Sequence, residues 1–386
     1  MSSCHHDNGP ARLRGNAGLT IVELLVALSI ASIIMFGIYS VYSVSADTYR
    51  IQNEIMEAMD QARFGLEQVK RDISKAAFLG TPNSVGDAMV CPKPGNPIRG
   101  IIVERSGAVV NPGFNRNIQP NGMIMFGSYW SDQTYLTRSV VGSTVTLQTA
   151  ADGAPFPATR EEFESIFTQG RFLRIVNAEQ YEGYYLIQSS DFGSGTIQLQ
   201  SPVTTATPPN YCGIQGFGVG LEASVAGWVR YRLIADPLDA DGLKIDLVRH
   251  ELLGSDPLLQ TVVANSGITM AEYVVDLQLY DFVVDTDRSG RAPLLVNLQH
   301  VDAVLDGGTQ KLDMSADARP QDLRFVTVKL TTRTVHEDEK FQMIQRQALF
   351  TPIEAYDLDP IMEGAARTVS LSSRVGLKTF LVRNVK

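Results

Sequence analysis

One carboxylate stands inside a long apolar run near the start of the chain. The run extends from Leu19 to Val44, and Glu23 is its single charged residue. About 20 apolar residues in a helix span a bilayer, and a carboxylate placed there costs about 2.5–3.5 kcal/mol on insertion scales. Arg14 lies too far back along the chain to pair with it. Glu23 therefore either meets a charge from another chain or reaches water at the cytoplasmic edge of the membrane.

The cysteines offer a second kind of chemistry. The chain has three of them, and Cys4 precedes the apolar run whereas Cys91 and Cys212 follow it. If the part after the run is exported to an oxidising compartment, the latter two most simply form one disulfide. The alternative is two separate buried thiols. We predict the Cys91–Cys212 disulfide.

The candidate metal ligands are side chains in two acidic turns. Asp285, Asp287 and Ser289, followed by a glycine, match the first half of an EF-hand calcium loop. Such a loop closes with a glutamate, and that position holds Val296. The pattern therefore favours an acidic hairpin turn, with calcium as the weaker alternative. A second acidic turn, over residues 236–241, is a weaker candidate still, and no other cofactor is expected.

Catalytic signatures are missing from the sequence. The three histidines after the apolar run, His250, His300 and His336, lack metal-binding spacing. The sequence contains no G-x-S-x-G nucleophile elbow and no phosphate-binding loop. The glycines of residues 216–220 lack the spacing of a dinucleotide fingerprint. We expect a non-catalytic protein.

Charge and composition further narrow the class of protein to which this chain can belong. The chain has 386 residues, 44% of them hydrophobic, and a net charge of −9, which indicates a globular protein without the basic surface that nucleic acids require. Residues 1–18 carry Arg12 and Arg14 against Asp7, whereas the part after the apolar run is acidic. The positive-inside rule then places residues 1–18 in the cytoplasm and exports the rest. An ordinary signal peptide cut after Ala46 is the alternative, but its apolar centre is shorter and carries no acid.

The apolar run continues into an amphipathic pattern. Apolar residues recur every three or four positions, which indicates one buried helical face; they are Ile55, Met59, Ala62, Leu66, Val69, Ile73 and Ala77. No proline interrupts residues 19–79, and a glycine and a proline follow at Gly80 and Pro82. We therefore predict a spanning segment at 19–45, an amphipathic helix at 46–80 and flexible points at Gly37 and Gly65. A coiled-coil dimer is the competing explanation of this stripe of apolar residues along one helical face.

In the head, residues 81–386, apolar and polar residues alternate with a period of two, which replaces the helical pattern. Half-buried strands are predicted at 243–247, 275–279 and 326–330, with a hairpin turn at 236–242. An extra β-rich lobe is predicted at about 114–210, with strands at 144–147, 172–176, 184–188 and 196–200, a short helix at 160–164 and a returning turn at 208–209. The predicted fold is α+β: a long N-terminal helix packed on an antiparallel sheet.

The residues around Glu23 resemble a known signal. Gly18 followed by LTIVELLVAL is similar to the class III signal of type IV pilins and pseudopilins. The resemblance implies that a prepilin peptidase cuts between Gly18 and Leu19, that Leu19 is N-methylated, and that Glu23 becomes the fifth residue of the mature chain. Phenylalanine is more usual than Leu19 at the new N-terminus. In that family the acid faces the N-terminal amine of a neighbouring subunit, so Leu19 and Glu23 are the implied assembly residues.

The head resembles the PilW group of minor pilins. Residues 321–330 (QDLRFVTVKL) and 380–384 (FLVRN) carry this resemblance, and residues 273–280 (YVVDLQLY) are similar. It implies a non-catalytic subunit that primes type IV pilus assembly, acts in twitching motility and stays at the tip. Implied partners are other minor pilins, the major pilin and a tip adhesin, with the chain in the inner membrane before assembly. The alternative is a minor pseudopilin of a type II secretion system, most similar to the GspJ group.

Overall fold

The computed structural model describes most of the chain after residue 19. The described residues are 20–105, 115, 118, 120–207, 210–239, 243–256, 266–285, 295–298, 305–306, 309–310, 320–338, 341, 355–358 and 364–382. The helices are α1 (Ile21–Ser74), α2 (Arg160–Ile166) and α3 (Lys378–Val382). The strands are β1 (Ile101–Arg105), β2 (Asn121–Gly127), β3 (Tyr135–Val141), β4 (Thr144–Leu147), β5 (Phe172–Val176), β6 (Glu182–Asp191), β7 (Thr196–Leu199), β8 (Glu222–Ala235), β9 (Ile245–Leu252), β10 (Ile268–Ala271), β11 (Val274–Asp285), β12 (Leu295–Leu298), β13 (Leu305–Asp306), β14 (Thr309–Gln310), β15 (Leu323–Arg333), β16 (Ala355–Tyr356) and β17 (Ala366–Gly376).

The α1 helix contributes to two compact units, one ending at Asn53 and the other starting at Glu54. In the first unit its apolar side chains are exposed, among them Phe36, which is 74% exposed. In the second unit one face of the helix is buried, as the apolar stripe predicts; its apolar members are Ala58, Ala62, Leu66, Val69 and Ile73. The predicted long N-terminal helix is confirmed.

A shared apolar core lies between the second part of α1 and the strands of both sheets. α1 contributes Leu66, Val69 and Ile73 to this core, and β15 contributes Val326, Val328 and Leu330. Gly65 makes the close approach possible, because a Cβ there would lie 2.8 Å from the Cβ of Ala271 and 2.9 Å from Leu330 Cδ2. Gly65 therefore serves close packing, which differs from the flexible point that we predicted.

The end of α1 also differs from the prediction. The helix stops at Ser74, and the chain then turns through two residues with positive φ, Ala77 (59°) and Leu79 (48°). Here the backbone leaves the helix to pair with the end of β2, since Ala77 N donates to Phe126 O (2.6 Å) and Ser128 N donates to Phe78 O (2.9 Å). Tertiary hydrogen bonds thus end the helix before the glycine and proline that the sequence offers.

Among the described residues the larger sheet has 12 strands, and β8 is the strand on which two parts of it meet. The C-terminal part of β8 lies between β2 and β9, whereas its first residues lie between β3 and β5. Gly127 of β2 and Gly227 of β8 are paired at the point where β8 changes its neighbouring strands. A Cβ at Gly227 would lie 2.8 Å from the Trp130 ring, and a Cβ at Gly127 would lie 2.6 Å from Lys75 O. Only glycine fits where the chain segments approach so closely.

The strands around the start of β8 close into a ring. From β8 the order is β3, β4, β7, β6 and β5, and β5 pairs again with β8. Apolar side chains of the ring form one buried cluster with Phe163 and Ile166 of α2, and Thr159 caps α2 by accepting a hydrogen bond from Glu162 N (3.1 Å). Closure removes free strand edges. Because the ring runs from Tyr135 into β8, it extends past residue 210, and the bounds of a separate lobe stay a prediction.

The part of the head that the structure describes also contains a smaller sheet of five strands, in the order β12, β11, β15, β17 and β16. Each pairing is antiparallel. The predicted strands at 243–247, 275–279 and 326–330 fall within or overlap β9, β11 and β15, and those of the lobe overlap β4, β5, β6 and β7. The α+β fold class is therefore confirmed. The predicted turn at 208–209 lies outside the described residues.

Candidate assembly site

Glu23 lies in the first turn of α1, where it forms a reciprocal cap with Thr20. Thr20 N and Thr20 Oγ1 donate to Glu23 Oε2 at 3.0 Å and 2.9 Å, and Glu23 N donates to Thr20 Oγ1 at 3.3 Å. These bonds satisfy backbone donors that a helix start leaves unpaired. The carboxylate also lies at the positive end of the helix dipole. Thus Glu23 has a local neutral partner, and among the described residues it makes no ion pair.

Thr20 is the hydrogen-bond partner of Glu23 that the sequence analysis did not identify. The signal was present, because Thr20 and Glu23 form the T-x-x-E spacing of a capping box. Gly18 and Leu19, the predicted processing residues, lie outside the described residues. The described part of the site therefore starts one residue after the predicted cut.

The segment after Glu23 has the properties of a membrane-spanning helix. α1 is the only helix among the described residues that is long and apolar enough to cross a membrane. Two of its hydroxyls are satisfied within the helix, since Ser29 Oγ donates to Leu25 O (2.8 Å) and Ser32 Oγ donates to Leu28 O (2.7 Å). Such back-bonding removes the penalty for an unpaired polar group in an apolar environment.

Asp72, near the C-terminal end of α1, anchors the helix to the larger sheet. Arg249 Nε donates to Asp72 Oδ2 at 2.6 Å, and the Tyr231 hydroxyl donates to the same oxygen at 2.8 Å. Burial raises the pKa of Tyr231, and the neighbouring Asp72 carboxylate raises it further. Tyr231 therefore remains a proton donor at neutral pH. This buried group of three fixes the end of the helix on β8 and β9.

A second anchor joins α1 to the smaller sheet. The Thr332 hydroxyl on β15 donates to Ala58 O at 2.7 Å, inside the buried face of the helix. Closer to the start of this unit, His336 Nδ1 lies 3.2 Å from Glu54 Oε1 at a site where the histidine is exposed. The helix is thus attached along its length within the head, so a force on this part of the helix is transmitted to both sheets.

Cys91 and Cys212 form a disulfide with a Cα–Cα distance of 5.3 Å. It links the segment before β1 to the segment between β7 and β8. Backbone bonds support both sides, because Cys91 N donates to Glu182 O (2.8 Å) and Asn177 Nδ2 donates to Gly213 O (2.7 Å). The bridge therefore fastens the closed ring to the segment that follows α1.

In both acidic turns, an aspartate forms an ion pair with an arginine or a lysine side chain of this chain. Arg324 Nη2 lies 3.3 Å from Asp285 Oδ2, while Asp287 and Ser289 lie outside the described residues. In the other turn, Lys244 Nζ lies 3.2 Å from Asp236 Oδ2. No group of three or more acidic, histidine or cysteine side chains in the described residues could hold a metal ion. Calcium binding stays a prediction.

The described histidines are placed apart. His250 lies on β9 directly opposite Arg230 of β8, whereas His336 lies beside α1. His300 lies outside the described residues. Burial lowers the pKa of His250, and the nearby Arg232 and Arg230 lower it further. The absence of catalysis stays a prediction.

Comparison with protein families matches residues 13–39 to the prokaryotic N-terminal methylation motif. The match covers Gly18, Leu19, Thr20 and Glu23, and it reaches into the apolar part of α1. No significant match to a curated protein or to a solved structure was found. The motif, the apolar helix and the position of Glu23 together support a type IV pilin or pseudopilin.

Proposed function

We propose that this chain is a minor pilin that primes type IV pilus assembly and remains at or near the pilus tip. The observation that carries the proposal is the methylation motif at residues 13–39 joined to a head that occupies residues 81–386. A subunit that repeats at close spacing along a thin filament needs a compact head. A head with an added six-stranded ring suits a position that few subunits occupy. The resemblance of residues 321–330 to the PilW group supports the same role.

In this proposal, the residues that are processed and the residue that makes the assembly contact lie close together in the sequence. A prepilin peptidase hydrolyses the bond between Gly18 and Leu19 and leaves a cationic amine on Leu19, one residue before Thr20 and four before Glu23. The Glu23 carboxylate then exchanges its Thr20 hydrogen bonds for the N-terminal amine of a neighbouring subunit. Two opposite charges about 4 Å apart attract by about 4 kcal/mol at an effective dielectric constant of 20. A hydrogen bond to a charged group contributes about 1.5–3 kcal/mol, so the ion pair is comparable in size to the two Thr20 bonds that it replaces and gives the carboxylate a partner in the next subunit.

The remaining parts of the proposal concern position and partners. Before assembly the chain lies in the inner membrane with its head in the periplasm, and after assembly it lies at the tip. Its partners are other minor pilins, the major pilin and a tip adhesin. The subunit performs no catalysis. The buried face of α1 and the Asp72 anchor keep the head attached to the helix while the filament is pushed outward.

A deletion strain tests the proposal. Surface pili and twitching are scored beside secretion of folded exoproteins, and the deletion is complemented with the wild-type chain, Glu23→Ala or Glu161→Ala. Glu161 is an exposed glutamate of α2, so it provides the matched control. The proposal predicts loss of pili with normal secretion, restored by wild type and Glu161→Ala and not by Glu23→Ala.

Two results would contradict the proposal. Loss of secretion with normal pili would make the chain a minor pseudopilin of a type II secretion system, in which the same motif and helix operate. Normal pili together with normal secretion would exclude both the minor-pilin role and the minor-pseudopilin role. The N-terminal signal is shared by the two systems, so only the phenotype separates them.

A further inference from the structure

The closed ring carries a surface without charged residues. Residues 139–144 and 198–221 contain no Asp, Glu, Lys, Arg or His, and all of them except residues 208–209 are described. The two segments lie side by side, since Val140 N donates to Phe217 O at 2.8 Å. We call their exposed side chains the neutral patch. The whole chain is 19% charged with a net charge of −9, so the lack of charge sets this surface apart.

Four large apolar side chains are exposed on the neutral patch. They are Phe217 (76% exposed), Val219 (66%), Val141 (63%) and Tyr211 (48%). Outside α1, the described part of the head exposes eight large apolar side chains, so half of them lie on this one surface. Charged residues are depleted and aromatic residues are enriched at the centre of protein–protein interfaces. The neutral patch has both properties.

The loop that carries Phe217 is held in place by hydrogen bonds to β3. Gly220 N donates to Thr137 O (2.7 Å), and the Thr137 hydroxyl donates to Gly218 O. Gly218 and Gly220 have positive φ angles of 60° and 72°, which glycine adopts without strain. Gly218 is buried, whereas its neighbours Phe217 and Val219 are exposed. A loop that is fixed in advance presents its apolar side chains without the entropic cost of ordering a flexible segment on binding.

The absence of charge favours a second copy of this chain as the partner. In a two-fold symmetric interface the same surface meets itself, so a charged residue at its centre lies close to its own copy. Like charges that face each other across an interface disfavour association. The neutral patch has no such residue, whereas α2 of the same ring exposes Glu161 and Glu164. The neutral patch is therefore complementary to itself in charge, and the surface around α2 is not.

We propose that the neutral patch is a homodimer interface, in which the patch of one chain packs on the patch of a second copy and Phe217 is the main anchor. Aromatic side chains are frequent hot spots of such interfaces. The exposed hydroxyls of Thr204 and Thr205 add uncharged hydrogen-bonding groups beside the apolar side chains. This inference uses the head alone, so it does not depend on whether the filament is a pilus or a secretion pseudopilus.

Sedimentation of the full chain, reconstituted as one copy per lipid nanodisc, measures pairing through the heads. Each disc encloses its own copy of the apolar part of α1, so that part cannot join two discs. We expect two loaded discs to associate with a dissociation constant of the order of 10 μM, as for a small transient interface. Phe217→Ser is expected to weaken this association at least about tenfold.

The matched control is Leu238→Ser. Leu238 is 91% exposed and lies outside the neutral patch, so its replacement also removes an exposed apolar side chain. We expect this variant to associate like the wild type. Equal melting temperatures of the two serine variants verify that both fold.

Two further measurements fix the nature of the contact. Raising NaCl from about 0.05 M to about 0.5 M screens the repulsion between two acidic chains, so pairing should tighten by at least about twofold. In a Cys4→Ser background, a short bis-maleimide should join two copies of Val219→Cys and should not join two copies of Leu238→Cys.

Several results would overturn the proposal. Loaded discs that stay single about tenfold above the expected dissociation constant would leave the patch to a different protein. Association of loaded discs with empty discs would assign the patch to a lipid surface. Equal association of Phe217→Ser and Leu238→Ser would place the contact elsewhere on the head, and association that salt weakens would make it ionic.

Discussion

The Asp72 anchor gives a quantitative prediction about how the head holds its helix. Arg249→Met removes the guanidinium and leaves the Asp72 carboxylate with the Tyr231 hydroxyl as its described side-chain partner. The Arg249 and Asp72 side chains are 16% and 13% exposed, so the pair is mostly buried. Breaking a fully buried pair costs about 3–5 kcal/mol because it leaves an uncompensated charge. Since both side chains retain some exposure to water, we expect the lower end, about 3 kcal/mol of unfolding free energy.

Replacing the whole polar group gives the contrasting result. The triple variant Asp72→Leu, Arg249→Met and Tyr231→Phe leaves no side-chain charge or hydroxyl of this group unpaired. Apolar replacements of buried ion pairs are often neutral or stabilising. We therefore expect the triple variant to be more stable than Arg249→Met alone, within about 1 kcal/mol of the wild type.

Urea unfolding of the full chain in detergent, followed by tryptophan fluorescence, measures these differences. The matched control is Arg160→Met on α2, which breaks an exposed pair with Glu164 whose side chains are 69% and 49% exposed. A surface pair of this kind contributes less than about 1 kcal/mol. The reasoning is refuted if Arg249→Met destabilises no more than Arg160→Met, or if the triple variant is the least stable of the set.

Three other predictions concern the anchor helix, the disulfide and a buried acid. Glu23→Ala is expected to be inserted and cut normally but to be absent from sheared filaments by immunoblot, with Glu23→Asp intermediate. Cys91→Ser with Cys212→Ser should lose about 4–5 kcal/mol in urea unfolding, because the bridge spans 121 residues of sequence; equal stability of reduced and oxidised wild type would contradict this. Burial raises the pKa of Asp276, so its contribution to stability is fully present below about pH 3.9 and is lost as pH rises through the raised folded pKa. Asp276→Asn should therefore be more stable than wild type at pH 7 and lose that advantage at pH 3 in thermal unfolding, whereas an advantage that is larger at pH 3 would contradict the assignment.

The sequence predicted those parts of the fold that depend on local periodicity. The strands at 144–147 and 172–176 coincide with β4 and β5, and the short helix at 160–164 lies within α2. In these segments, side-chain alternation or capping chemistry agrees with the final environment. The sequence also predicted most of the buried face of α1, because Ala62, Leu66, Val69 and Ile73 of the predicted repeat are buried, whereas Ile55 and Met59 are half-buried.

Long-range pairing is what local patterns could not predict. The ring depends on β8 changing partners at Gly227, and the end of α1 depends on backbone bonds between Ala77 and Phe126. Both features bring together residues far apart in sequence, so no window of the sequence contains them. At the candidate assembly site, Glu23 was found from its charge, whereas Thr20 was missed although the capping-box spacing was present. The role of Gly65 likewise depends on a tertiary contact.

The mature N-terminus of the membrane-extracted protein tests the central claim most directly. Intact-mass and N-terminal peptide mass spectrometry identify the first residue and any methyl group on its amine. A chain that starts at Leu19 and carries an N-methyl group is the predicted result, and it places Glu23 at the fifth position of the mature chain. A chain that starts at Asp47 would contradict the account, because the apolar part of α1 would then be a discarded signal and the head would have no anchor.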